Sequence, residues 1–444
     1  MSLNKAFLDY FRCPEPFVDF RLDGPPSNGT AGDHLASGLA YSAAANHRSP
    51  QCRSVPLLDR LAQIRVEGST CCLPFNPTDA ADHLRYERYV DRSRGPAWKG
   101  AVRKAYYLLR PTLPVPLRRR LQARWLKGWD QRPFPRWPVD CTVDEMFLGV
   151  MRSVLDASGE GRIPFIWFWP EGKSSCAIMT HDVETGSGLA FRGKLMDMND
   201  SYGIKSSFQI IPEARYAVTA DVLSEIRARG FEVNVHDLHH DGHLYDNYDG
   251  FLRAAERINE HALRFGSRGF RSGVLYRNLE WYDAFRFSYD MSVPNVAHLD
   301  PQPGGCCTVM PYFIGNILEL PVTTTQDYSL FHILKTRSLD LWRDQINRIM
   351  QQHGLVSFIV HPDYLDTLPA QNAYTALLRH LSVLRDQASL WTTLPGEVDR
   401  WWRQRAQMRL VRRSKGWSIE GPGADRARVA YALLDGGKLT YSVH

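Results

Sequence analysis

From about residue 164 to about residue 394 the chain repeats one pattern, a short apolar run followed by an amphipathic segment and then another short apolar run. The runs at 176–180, 206–210, 231–235, 269–271, 287–289, 317–322, 355–360 and 390–394 have the length of buried strands. Helical segments fall between most of them, at 189–202, 220–229, 250–265, 339–353 and 373–385. Strands that alternate with helices form a parallel sheet, because a parallel neighbour is reached only through a crossover. The expected fold is therefore α/β, a distorted (β/α) barrel of about seven units covered at its end by a helix over 395–408.

At 444 residues the chain is longer than one such barrel. Three parts are expected: an N-terminal extension over 1–160, the barrel over 165–410 and a small C-terminal β tail over 411–444. Residues 1–90 are rich in Gly, Pro, Ser and Asn, which suggests a loop-rich module, and a helix is expected to start at Thr142 with Glu145 three residues on. In the tail, 417–419, 428–434 and 439–443 alternate apolar and polar residues, with Asp435-Gly436-Gly437 as the turn of a hairpin.

A content of 44% hydrophobic and 11% aromatic residues excludes a disordered chain, and no apolar run reaches 18 residues. The N-terminus carries no readable export signal. Eight cysteines include the adjacent pairs Cys71-Cys72 and Cys306-Cys307 but no Cys-x-x-Cys, so reduced thiols and a cytoplasmic location are expected. A net charge of +6 is modest for this length and does not by itself imply a nucleic-acid partner, and none is expected. Residues 99–136 do interleave Arg118, Arg119, Arg120 and other cations with Trp98, Trp125 and Trp129 around them. Such a stretch is a solvated face packed by its aromatics, a nucleic-acid contact or, as the preferred functional expectation, a peripheral contact with an anionic membrane.

Three segments hold most of the unusual polar residues, and each begins where an expected strand ends, which in a β/α barrel is the catalytic face. The first is Thr180-His181-Asp182-Val183-Glu184; Asp182 and Glu184 are two apart, so an extended backbone points both carboxylates to one side. The second runs from His236 to His243 and holds two His-x-x-x-His pairs, His236 with His240 and His239 with His243. On a helical turn either pair could grip one metal, and a carboxylate would complete a two-His, one-carboxylate site. The third is His361-Pro362-Asp363 after the apolar run 355–360.

Taken together these segments resemble the NodB-like polysaccharide deacetylases of carbohydrate esterase family 4, over about residues 170–400. The segment Thr180 to Glu184 is similar to the family's first motif, with Asp182 as the base and the ligand moved by one residue to become Glu184. The stretch Gly230 to His240 is similar in register to the second motif, which selects His236 and His240 as metal ligands, with Asp237 in place of a hydroxyl residue. Arg271 corresponds to the arginine that holds the base, Asp290 in Tyr289-Asp290-Met291-Ser292 to an orienting acid, and His361 to the general acid.

The resemblance implies a divalent metal, zinc being the expected ion, and hydrolysis of the acetamide of an N-acetylated sugar in a polysaccharide or its lipid-linked intermediate. Two alternatives stand beside it, an amidase of the same fold acting on a small non-sugar amide and a non-catalytic glycan-binding barrel.

Overall fold

The computed structural model describes residues 2–23, 57–90, 124, 126–387, 390–414 and 416–444. Residues 99–123 and Trp125, with Arg118, Arg119 and Arg120, lie outside the described residues, and the expected membrane contact lies there with them.

Contacts sort the chain into two units, Met1–Tyr89 with Asp140–Lys173 and Arg400–His444, and Val90–Val139 with Ser174–Asp399. The expected extension and tail thus share a unit, for a reason visible in the strand pairing. Val429–Asp435 pairs antiparallel not only with Lys438–Val443 but also with Arg162–Ile166, so the expected tail completes a sheet begun some 260 residues earlier. The hairpin turns at Gly436 and Gly437, both with positive φ. Arg405 joins the same three pieces: its buried guanidinium donates to the carbonyls of Tyr10, Phe11, Ile166 and Trp167. Removing it would leave four buried acceptors, at about 1–3 kcal/mol each. The helix expected from Thr142 runs Thr142–Ser158, but its first N–H is held one step earlier than a Thr142 cap implies, by the Asp140 carboxylate at 2.8 Å. All seven cysteines among the described residues are free and buried.

The second unit holds the barrel. Its parallel strands are Ser175–Val183, Ser207–Ile210, Glu232–His236, Gly269–Arg271, Tyr289–Asp290, Ile317–Glu319 and Leu355–Ile359. Leu355–Ile359 pairs parallel along 176–180 of the first strand, so the chain returns to where the sheet began. A shorter strand, Leu390–Thr393, also pairs with residues 175–178, and Tyr312–Ile314 folds back on Ile317–Glu319 as the one antiparallel pair. Beyond Ile317–Glu319 the ladder is incomplete, and the gap is bridged by the Thr324 N–H donating to the Ser357 carbonyl at 3.2 Å. The fold is a distorted (β/α) barrel of seven parallel strands, with Leu390–Thr393 as an eighth parallel strand beside the first.

Register decides which side chains enter the barrel. Asp182 pairs with Gln209, Gln209 with Asn234, and His236 with Arg271, so these residues share one face of the sheet. Helix starts fix the strand ends: Thr185, Thr219 and Asn247 each accept a backbone N–H from the first turn of the helix that follows. A cap of this kind is worth about 1 kcal/mol. No helix among the described residues is long and apolar enough to cross a membrane.

Candidate active site

The strand ends bring Glu184, His236 and His240 together, with one ligand atom from each lying within 4.8 Å of the others. His236 is the last residue of its strand and 1% exposed. Its Nδ1 lies 3.1 Å from the Arg271 carbonyl, which can only accept, so Nδ1 carries the proton and Nε2 keeps the lone pair. That Nε2 is buried without a hydrogen-bond partner. Burial pulls the imidazole down to about 4 against the opposing charge of Asp182, so it is neutral at physiological pH. An orphaned lone pair on a buried imidazole suits a metal ligand.

His240 reaches the same hollow from a loop, not from the helical turn that its spacing suggests. Asp237 and His240 both have positive φ, 57° and 55°, a region that side chains rarely occupy. The Asp237 carboxylate stabilises the bend by accepting the N–H groups of Leu238 at 2.6 Å and Gly273 at 3.1 Å. His240 Nε2 then stands 3.1 Å from Glu184 Oε1. The other pair points elsewhere: His239 Nε2 meets Glu213 at 3.1 Å, and the exposed His243 meets Asp246 at 2.8 Å.

Asp182 sits beside this trio. One oxygen takes the Arg271 guanidinium at 3.0 Å, and the other stands 3.8 Å from His236 Nε2. Burial pushes its carboxyl up, but the neighbouring positive charge, that of Arg271 above all, outweighs this and holds it below the usual carboxylate range. Arg271 is itself fixed by donating from Nε to the Met291 carbonyl at 3.0 Å. Breaking the buried pair by removing one charge would cost about 3–5 kcal/mol.

On the far side of Glu184, His361 Nε2 lies 3.6 Å from Glu184 Oε1. Its ring Nδ1 and its backbone N–H both go to one carboxylate, Asp327, at 2.6 and 2.7 Å. Burial alone would lower the His361 pKa; Asp327, with Glu184 and Asp182 behind it, lifts it to about 10. The imidazole is thereby kept protonated at neutral pH.

Asp290, expected as an orienting acid, is not part of this arrangement. It pairs with Phe270 in the sheet, and Arg271 is the next residue, so the two side chains leave opposite faces. Asp290 accepts from Tyr282 Oη at 2.9 Å and Ser292 Oγ at 2.7 Å, and the carboxylate that orients the histidine is Asp327.

No protein-family model matches the chain, and no curated protein matches it. Among solved structures, a Mycobacterium smegmatis protein described as a polysaccharide deacetylase superposes with a TM-score of 0.43 at 17% identity, over 54% of this chain and 93% of that one. The peptidoglycan deacetylase PdaC of Bacillus subtilis gives 0.33 at 12% identity over 51% and 90%. PuuE allantoinase gives 0.40 at 13% identity over 53% and 92%.

One acid beside the cluster escapes the sequence motifs. Asp327 follows the run Thr323-Thr324-Thr325, which carries no turn or ligand spacing that would mark it. Asp363, the last residue of the third segment, accepts the Glu184 N–H at 3.1 Å and the Thr185 hydroxyl, tying His361-Pro362-Asp363 to the strand end that carries Glu184.

Gly273 shows how tightly the hollow is packed. A β-carbon there would stand 2.2 Å from an Asp237 oxygen and 3.0 Å from His240 Cδ2. Gly273→Ala is expected to displace His240 and so to weaken, by about tenfold or more, the affinity of the Glu184, His236 and His240 cluster for added Zn²⁺ if that cluster is a metal site. Competition with a chromophoric chelator would measure it, and an unchanged affinity would mean that His240 does not depend on this packing.

Proposed function

We propose that the chain is a metal-dependent deacetylase of the NodB-like type, hydrolysing the acetamide of an N-acetylated sugar. The observation that carries this reading is that an Arg271-paired carboxylate, Asp182, and an Asp327-paired imidazole, His361, flank one two-histidine, one-carboxylate cluster. Glu184, His236 and His240 would hold the ion, and the donor set suits Zn²⁺. A bound divalent cation supplies Lewis acidity and a lowered pKa for water.

The chain's own groups then divide the proton work. Asp182, aimed and kept ionised by Arg271, takes the proton of the water whose oxygen adds to the acetamide carbon. His361, holding Asp327 through Nδ1, has Nε2–H free to protonate the departing nitrogen as the C–N bond breaks, giving acetate and an amine. Without that proton the amine is a very poor leaving group. The sugar as substrate rests on the motif resemblance. It is supported by half-buried rings beside the acid: Tyr364 lies 4.9 Å from His361 at ring centres, with His332 at 5.1 Å and Tyr328 at 5.4 Å from Tyr364. Aromatic faces at the leaving-group side suit the apolar face of a pyranose.

The test is release of free amine and acetate from a panel of N-acetylglucosamine oligomers, lipid-linked N-acetylated sugars and small amides. The proposal expects turnover of an acetylated sugar in preference to the small amides. Turnover of a small amide alone would replace the sugar reading with an amidase, and no turnover of any would remove the enzyme reading.

A further inference from the structure

The three expected ligands come from two separate pieces of chain, Glu184 from the end of the first barrel strand and His236 with His240 from the third strand and its loop. Nothing in either piece alone fixes their separation. The loop is also a poor self-supporting element, because two of its residues hold left-handed backbone, each disfavoured by about 1–2 kcal/mol outside glycine.

The loop after the second strand lies between them and binds both. Arg215, an exposed residue, donates from Nε to the His239 carbonyl at 3.0 Å and from a terminal nitrogen to the His240 carbonyl at 2.5 Å. The next residue, Tyr216, donates its hydroxyl to the Val183 carbonyl at 2.7 Å and accepts the Ile211 N–H at 2.9 Å. Two residues before Arg215, the Glu213 carboxylate receives His239 Nε2 at 3.1 Å, His261 at 2.7 Å and Arg257. Glu213 thereby anchors the segment to the helix Tyr248–Phe265 as well as to the loop.

We propose that residues 212–216 are a brace that sets the distance between the two halves of the metal site, with Arg215 and Tyr216 as positioning residues. This rests on the metal reading of Glu184, His236 and His240. Arg215 fixes the peptide planes on either side of the His240 α-carbon, and so the direction of its side chain. Tyr216 fixes the peptide that immediately precedes Glu184. Neither touches the reacting atoms. An exposed arginine spent on two backbone carbonyls, instead of on a carboxylate or on solvent, is otherwise unexplained by the fold. Planar, forked donors suit that task, and lysine does not reproduce it.

The test uses the full chain, stripped of metal and titrated with Zn²⁺ against a chromophoric chelator, with Co²⁺ visible absorption as a reporter of ligand geometry. Parent, Arg215→Ala, Arg215→Lys and Tyr216→Phe are compared on folded protein, well below each thermal midpoint. The brace predicts a Kd for Zn²⁺ raised about 10- to 100-fold in Arg215→Ala, a smaller rise in Arg215→Lys and Tyr216→Phe, and an altered Co²⁺ spectrum in each. The midpoint of the metal-stripped protein should stay near that of the parent. Parental Zn²⁺ affinity and Co²⁺ spectra in all three variants, with or without a lowered midpoint, would overturn the brace while leaving the metal site standing. A parent that binds no metal would overturn both.

Discussion

Asp182→Asn is expected to keep about one metal ion per chain and to lose at least about a hundredfold in kcat/KM, the usual scale for a positioned base. The substitution is nearly isosteric, so the carboxamide can still accept from Arg271, which holds one Asp182 oxygen at 3.0 Å. It removes the capacity to take a proton and, with it, the negative charge that pairs with Arg271, so the comparison is made on folded protein. Glu184→Ala should do the opposite first: it deletes one of the three donors that meet within 4.8 Å, so the metal is lost and the rate falls with it. Metal content by elemental analysis and steady-state rates on the same preparations separate the two. Metal lost from Asp182→Asn and retained by Glu184→Ala would mean that base and ligand are exchanged in this account.

Asp327→Asn is expected to move the alkaline limb of the pH–rate profile to lower pH and to cost about a hundredfold in kcat on the alkaline side. The sign follows from which form of His361 works. The acid must be protonated, and Asp327 is the largest of the charges that lift His361 to about 10 against burial. With an uncharged amide in its place burial meets less opposition, the pKa falls, and the protonated fraction is lost at a lower pH. Rates well below the new pKa should stay closest to the parent. A profile across pH 5 to about 10 reads this directly, and an alkaline limb that does not move would mean that His361 is not the acid or that Asp327 does not control it. His361→Ala should show no comparable limb, since the group that titrates is gone.

The fold and much of the hollow are legible in the sequence because both depend on local pattern. Short apolar runs separated by amphipathic segments give the parallel strands, and a strand end in such a barrel is where functional side chains emerge. Asp182, Glu184, His236, Arg271 and His361 stand at or just past such ends. His240 is reached for a different reason from the one its spacing implies: left-handed backbone at Asp237 and His240, not a helical turn, brings it back to His236. Asp290 fails because its side is set by register, and a two-residue strand gives no alternation to read. Asp327 is invisible because its partner is 34 positions away and only the gap-bridging run after Ile317–Glu319 carries it to His361. The separate β tail is misread for a related reason, since pairing of Val429–Asp435 with Arg162–Ile166 is non-local and leaves no local mark.

The central claim is that one ion held by Glu184, His236 and His240 makes the chain a deacetylase. Reconstitution measures it most directly: protein stripped by a chelator is titrated with Zn²⁺ while amine release from an N-acetylglucosamine oligomer is followed. The account predicts no release from the stripped protein, a linear rise to about one equivalent and a plateau beyond it, with the rise absent in His236→Ala and His240→Ala and present in His239→Ala and His243→Ala. Release that survives stripping, or a rise abolished by the His239 and His243 substitutions but not by the other two, would contradict it.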